Sequence, residues 1–512
     1  MPRIGDRRRV IYALLLLTAV AVALRLFHLD YKSLNGGDEP YQFALAQRPF
    51  GEMLSLFGYE ANASVYSVLL WPLVRIGESE ELIRSPAVLF GILAVPAIWW
   101  TGRTFVTDRV GLMAAALMAV SPMAVFQSQF ARPFTLIICL ACVSFVALRL
   151  AIDEGRTRWW VVYALALAGM AYSNALTPFL LGLVHLWMVW RDREIALREW
   201  LLSVAGALVL CIPQAIALVV ARSRRDPLYY LEAPGLGAVN NTAREFTSGL
   251  GGSNAIYAAT MLLLLGVLAV VAWRRWRGDE GDEPEAWLGV PDVFWLWAFV
   301  PVVVLLAVSQ IEPAYRTVYV IGILPGLLLL VAALIDRLGD PLRWLALGAA
   351  VVLGLAGTIW QTTRQVDETW YSTMDFIASE RQPGDRVLLD IVSVLPVLGY
   401  YDDRYRAPNG ELIVLEWDEY PLPEDIVPLD DPGGYAGPAG PPSRGMIQRL
   451  ASGDQRLFVV LAEYQPHLQG DIPSGPAIDW ARENCDVRER KDEVFIDLFL
   501  ISDCPAPGAS ES

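Results

Sequence analysis

Three histidines and five cysteines in 512 residues leave this chain few of the side chains that soft metals need. Cys139 and Cys142 have the spacing of a metal-ligand pair, but no histidine or second cysteine pair accompanies them. They lie with Cys211 in apolar runs and read as core, so no metal site is assigned. Basic residues are in the minority, at 40 Lys and Arg against 55 Asp and Glu, a formal charge of −15. That balance excludes a nucleic-acid partner. No internal repeat is present. No small-residue cleavage site follows the first apolar run, which therefore reads as a retained helix rather than a signal peptide.

What the chain has in abundance is apolar sequence. Hydrophobic residues make up 55% and mean hydropathy is +0.40, the composition of a polytopic membrane protein. Eleven apolar segments can be placed: Val10–Leu29, Leu82–Phe105, Val110–Phe126, Phe134–Leu150, Trp159–Tyr172, Leu176–Trp190, Leu201–Ala221, Ala255–Trp273, Val293–Ser309, Thr317–Leu334 and Trp344–Trp360. Arg7, Arg8 and Arg9 precede the first, so the positive-inside rule puts the N-terminus in the cytoplasm. Threading the segments alternately collects most loop arginines on that same side. An odd number of crossings then places everything after residue 360 outside the cell.

Charge divides the chain at the same point. Residues 361–512 hold 28 Asp and Glu against 12 Lys and Arg, whereas the rest is close to neutral. The expected organisation is a membrane domain at 1–360 and an acidic extracytoplasmic α/β domain at 361–512. In the latter, Tyr371–Glu380 has a helical pattern, while Arg386–Asp390, Leu457–Ala462 and Val494–Ile501 read as strands. Pro428–Pro442 reads as a loop. Cys485 and Cys504 are the only cysteines of that domain, and an outside location makes them a candidate disulfide.

Two outer loops exceed what a connector needs. The first, residues 30–81, begins just past the first apolar helix, carries Asp38-Glu39, and contains amphipathic pieces at Tyr41–Phe57 and Val65–Ile76. The second, Arg222–Asn254, is rich in Gly, Asn and Tyr. Acids at a helix start also serve the helix dipole. Arg132, Arg316, Arg222, Arg224 and Arg225 fall at outer membrane edges, against the topological bias. They can snorkel to lipid headgroups or hold a phosphate bidentately. His28 reads as an interface residue. Asn62-Ala63-Ser64 and Asn240-Asn241-Thr242 are glycosylation sequons, meaningful only in a host that modifies them.

The run Arg25-Leu26, Ser33-Leu34, Asp38-Glu39 resembles the first outer loop of bacterial GT-C glycosyltransferases, the group of the protein O-mannosyltransferases and the lipid A aminoarabinose transferase. Gly77-Glu78-Ser79-Glu80 followed by Ile83-Arg84-Ser85-Pro86 is similar to that group's Gly-x-Ser-Glu and Leu-Arg-x-Pro pieces. Ser121-Pro122 with Ala131-Arg132-Pro133-Phe134 resembles its Ser-Pro and Ala-Arg-Pro-Tyr segment. Glu312-Pro313-Ala314-Tyr315-Arg316 with Leu324-Pro325 resembles its late Arg-Tyr and Leu-Pro segment. Trp370–Tyr401, including Tyr400-Tyr401, is similar to the start of the outer domain. Two departures stand out. Asn62–Tyr66 replaces a His-Pro-Pro-Leu segment, and Asn174 stands where many members have histidine.

The resemblance implies an all-α GT-C membrane domain of about eleven transmembrane helices with the outer α/β domain appended. It implies a plasma-membrane enzyme that moves a sugar from a polyprenyl-phosphate donor to a lipid, glycan or protein acceptor. Asp38, with Glu39 beside it, would be catalytic, and Arg132 and Arg316 would hold the donor phosphate. One general base is sufficient for an inverting transfer from a phosphate leaving group. A hydrolase would need two carboxylates at a set separation, which adjacent residues do not provide. Arg222, Arg224 and Arg225 are further phosphate candidates, and Tyr229 and Tyr230 can stack on a sugar. No cofactor is required; a divalent metal, the sugar and the acceptor stay open. A lipid or sugar transporter or flippase is the alternative, although transporters usually show repeats and midplane ionisable groups, whereas here the charges gather at the edge.

Overall fold

The computed structural model describes residues 4–29, 32–34, 38–57, 64–191, 197–224, 233–277, 287–363, 370–382, 385–389, 397, 400–401, 413–414, 444–462, 475–491 and 496–506. It comprises two compact units. One takes Met1–Leu29 and Ala46–Arg364, the other Asp30–Leu45 and Gln365–Ser512.

The first unit is helical. Its helices are α1 Ile4–Leu26, the end of α2 Asp38–Gln47, α3 Phe50–Leu56, α4 Ser64–Leu70, α5 Glu80–Phe105, α6 Asp108–Val120, α7 Pro122–Ser128, α8 Phe134–Glu154 and α9 Thr157–Ser173. They continue with α10 Leu176–Arg191, α11 Leu197–Leu210, α12 Ile212–Arg224, α13 Leu236–Ser248, α14 Asn254–Trp276, α15 Asp292–Val308, α16 Leu324–Asp336 and α17 Leu342–Thr363. Among the described residues, six spans are long and apolar enough to cross a membrane, or eight if each of two bent pairs counts as one. Each of the eleven apolar segments is helical over most of its length. Pro49 and Pro72 fall where the amphipathic pieces of the first loop break, the first into α2 and α3, the second into α4 and a 3₁₀ turn at Leu73–Arg75.

Two apolar segments read as single spans in the sequence are broken. α6 and α7 bend by 58°, and α11 and α12 by 54°. Pro122 and Pro213 sit just past these breaks, each removing an N–H that a continuous helix would need. A break in apolar surroundings leaves carbonyls that must find donors. At α6–α7 they do. Arg25, fully buried at the end of α1, donates to the carbonyls of Met118 and Ala119 at 3.2 and 3.1 Å. Thr358 donates to Val120 at 2.9 Å and Gln361 to Pro122 at 2.6 Å. Gln129 in turn caps α1, donating to the carbonyls of Arg25 and Phe27 at 3.2 and 2.7 Å. Elsewhere small residues permit close packing: a Cβ on Gly102 of α5 would lie 2.5 Å from the Gly111 Cα of α6.

The second unit contains a five-stranded mixed sheet in the order β2-β1-β3-β5-β4. β1 Arg386–Leu389 runs parallel to β2 Ile413–Val414 and β3 Leu457–Ala462, and β5 Ile496–Ser502 is antiparallel to β3 and to β4 Asp486–Lys491. Among the described residues, helices α18 Trp370–Glu380, α19 Arg444–Leu450 and α20 Gly475–Asn484 accompany it. Leu388, Val459, Phe499 and Ile501 form a buried core with Ile447 and Ile478. Cys485 and Cys504 are joined by a disulfide across a Cα separation of 4.4 Å. β4 escaped the sequence reading because five of its six residues are charged; as an edge strand it can turn them to solvent. The loop at Pro428–Pro442 lies outside the described residues.

Candidate functional site

Asp38 and Glu39 form the first turn of α2. The unpaired N–H groups there favour negative charge. Their exposures differ: Asp38 is half-buried, whereas Glu39 is only 1% exposed. Of the two, Asp38 is the one a substrate can reach.

The far end of α2 is clamped. Arg75 donates to the carbonyls of Ala46 and Arg48, the latter at 2.9 Å, and lies 4.0 Å over the Trp71 ring. The Trp71 indole donates to the Arg48 carbonyl at 3.1 Å. A cation at a helix C-terminus satisfies its carbonyls and complements its dipole. The clamp thus fixes where α2 ends.

The arginines separate. Arg132 is buried, two residues ahead of α8 and just past the capped break. Arg316 is half-buried and immediately precedes the 3₁₀ stretch Thr317–Ile323. Arg222 is exposed on α12 and ion-pairs with Glu312, itself exposed, a type of contact worth little. Arg224 ends α12, but its side chain lies outside the described residues, as do Arg225, Tyr229 and Tyr230.

Around Arg316 the structure gathers groups that the sequence reading passed over. Thr242 of α13, read only as part of a sequon, places its hydroxyl 2.8 Å from the Tyr315 hydroxyl and 3.2 Å from that of Thr317. Glu245, one turn along, accepts a hydrogen bond from Thr317 and faces the charges of Arg316 and Arg244. Burial pushes the Glu245 carboxyl up, while Thr317 and the two guanidiniums pull it back. Burial also raises the Tyr315 hydroxyl. Arg244 donates through Nε and Nη2 to the Gly252 carbonyl at 3.1 and 2.6 Å. α13 ends at Gly249, with φ +88°, where a Cβ would sit 2.2 Å from Gln361 Oε1. A polar helix inside a Gly- and Asn-rich loop was the signal available in the sequence. The result is a fixed cluster of two cations, one carboxylate and three hydroxyls.

Among the described residues, no three His, Cys, Asp or Glu side chains converge to hold a metal ion. Cys139 instead donates its thiol to the Phe90 carbonyl at 2.9 Å.

The order of these helices and the sheet that follows them have a counterpart in solved structures. ArnT from Cupriavidus metallidurans, crystallised bound to undecaprenyl phosphate, superposes with a TM-score of 0.56 at 14% identity over 95% of this chain and 97% of that one. Its apo structure gives a TM-score of 0.57 with the same identity and coverage. The fold is that of a GT-C glycosyltransferase. The sequence model of the dolichyl-phosphate-mannose-protein mannosyltransferase family matches residues 62–216, a GT-C stretch that holds Arg132 but neither Asp38 nor Arg316. No protein of curated function matches the chain significantly. The GT-C resemblance read from the motifs thus holds at the level of fold, and the chain is a multi-pass membrane protein.

Proposed function

We propose that this GT-C protein transfers a sugar from a polyprenyl-phosphate donor to a cell-envelope acceptor at the outer face of the plasma membrane, with inversion. The observation that carries the reading is Asp38: a reachable carboxylate, in the first turn of a helix, directly after the first apolar helix. Support comes from the ArnT relative in fold, which was crystallised with undecaprenyl phosphate. In the proposed step the acceptor hydroxyl attacks the anomeric carbon as its proton passes to Asp38. The bond from the anomeric carbon to the phosphate oxygen breaks, and polyprenyl phosphate leaves with the electron pair. Arg132 and Arg316 hold the donor phosphate, and guanidinium charge stabilises it as it departs. Glu39, buried, supports α2 rather than exchanging protons. On the reading of eleven apolar segments threaded from a cytoplasmic N-terminus, Asp38 and residues 361–512 lie outside the cell.

The test is transfer in membrane vesicles supplied with radiolabelled polyprenyl-phosphate pentoses and hexoses. Label should reach a lipid, glycan or protein acceptor. Label that crosses the bilayer without changing carrier would overturn the enzyme in favour of a transporter.

A further inference from the structure

The carboxylate assigned as base belongs structurally with the C-terminal residues. Asp38 lies in the segment Asp30–Leu45, which packs in one unit with Gln365–Ser512. Two adjacent tyrosines of that unit hold the chain on either side of it. The fully buried Tyr401 accepts the backbone N–H of Leu34 on its hydroxyl at 2.7 Å. On α2, the ring of Phe43 meets Tyr400 edge to face, with centroids 5.1 Å apart. Tyr400 and Tyr401 pack against each other at 4.9 Å, and Tyr371 braces Tyr401 at 5.5 Å. A second tie lies beside the first. The Ser33 hydroxyl accepts the backbone N–H of Trp370, the first residue of α18, at 3.1 Å.

These contacts have a direction. A buried backbone N–H needs an acceptor, and Leu34 takes its acceptor from a side chain 367 positions away. Leu34, Trp370 and Tyr401 are each fully buried, so water cannot substitute. Phe43 and Tyr400 are 5% and 7% exposed, which makes the second grip a packed one as well. A base must stand within hydrogen-bond reach of the proton it takes, and displacement by about 1 Å can cost 10²-fold in rate.

We propose that Tyr400 and Tyr401 are positioning residues for Asp38: Tyr401 fixes the chain ahead of the carboxylate, Tyr400 fixes the helix behind it, and the C-terminal unit thereby sets where the base stands. The proposal rests on the reading of Asp38 as general base. Tyr401 touches no reacting atom in this scheme and acts only through Asp38. The C-terminal residues are then part of the catalytic apparatus, whatever else they bind.

A double-mutant cycle tests this. Transfer from a radiolabelled polyprenyl-phosphate sugar is measured on membranes carrying the full-length wild type, Asp38→Asn, Tyr401→Phe and the double variant. Phenylalanine keeps the ring against Tyr371 and Tyr400 and removes only the hydroxyl. Tyr401→Phe should lower kcat about tenfold, the loss expected for one hydrogen bond that orients the base, with donor KM unchanged. Asp38→Asn should lower kcat about 10²–10⁴-fold. The double variant should be no slower than Asp38→Asn, because an orienting contact has nothing left to orient. Ser33→Ala is the second probe, to be used if Tyr401→Phe does not accumulate as folded protein; it should show a smaller fall in kcat with the same non-additivity. Losses that multiply in the double variant would overturn the positioning role while leaving Asp38 as base, as would Tyr401→Phe with wild-type kcat or with a change in donor KM alone. Near-normal kcat in Asp38→Asn would overturn both readings together.

Discussion

Asp38 and Glu245 are both carboxylates on helices outside the long apolar spans, and their surroundings are opposite. Asp38 sits in the first turn of α2, where the helix dipole favours its charge, and part of its surface is open. Glu245 sits in the last turn of α13, where the dipole opposes its charge, and burial raises its affinity for a proton. Arg316, Arg244 and Thr317 compensate Glu245. Both acids are half-buried, and what separates them is the helix end each occupies. The helix end favours charge on Asp38, whereas at Glu245 it is the neighbouring guanidiniums and Thr317 that favour it.

The sharpest way to break the comparison is to remove the acid at the start of α2. Asp38→Asn keeps shape and removes the proposed base, and turnover should fall by about 10²–10⁴-fold with donor binding nearly unchanged. Glu39→Gln, its buried neighbour, should cost under tenfold in turnover and show mainly as reduced thermal stability, because loss of a buried hydrogen-bonding charge is a structural penalty. Initial rates and thermal unfolding in detergent for the two variants decide it. A larger rate loss in Glu39→Gln would exchange the two roles.

The next largest effect belongs to the cation that Glu245 faces. Arg316→Lys keeps charge but loses the planar fork; Arg316→Gln loses both. If Arg316 holds the donor phosphate, donor affinity should fall in the order Arg, Lys, Gln, by about 1.5–3 kcal/mol in all, with turnover falling alongside because the phosphate gains charge as it leaves. Rates measured against donor concentration for the series, and for the same series at Arg132, provide the check. Arginines that only reach lipid headgroups would tolerate lysine without kinetic change.

The legible parts of the molecule were those with periodic or compositional signals. Long apolar runs gave the helices, and short apolar runs of strand length gave β3 and β5. The paired acids after α1 fall, as a helix start in the sequence suggests, in the first turn of α2. What escaped depends on tertiary placement. Proline could signal a break at Ser121-Pro122, but only the fold shows Arg25, Thr358 and Gln361 converging on its carbonyls. Arg25 was legible as a motif residue and not as a cap. β4 was hidden by its charges. Arg244 and Glu245 look like any exposed charged pair until Thr317 and Arg316 arrive from a segment some 70 residues later. Tyr400 and Tyr401 carried a family resemblance in the sequence, but their grip on Leu34 and Phe43 spans more than 350 residues.

The smallest expected effect tests Glu245. The folded-state pKa of Glu245 lies above its ordinary value of 4.5. The folded protein therefore binds this proton more tightly than the unfolded chain does. Well below the ordinary value both states are protonated and the group contributes no pH dependence. As pH rises from there to the raised folded value, the unfolded chain releases its proton first, and stability falls with pH. Above the folded value the loss is complete and constant. Glu245→Gln cannot titrate and should remove that part of the slope, leaving a variant less sensitive to rising pH across this window. The same change leaves Arg316 and Arg244 without their carboxylate, so donor affinity should rise slightly, by about 1 kcal/mol or less for a half-buried cluster. Thermal unfolding of the purified protein across the acid-to-neutral range, wild type against Glu245→Gln, reads the first effect, and donor KM at neutral pH reads the second. Parallel stability curves would mean that Glu245 titrates as an ordinary exposed carboxylate. The contrast with Asp38 would then lie only in the helix end each acid occupies.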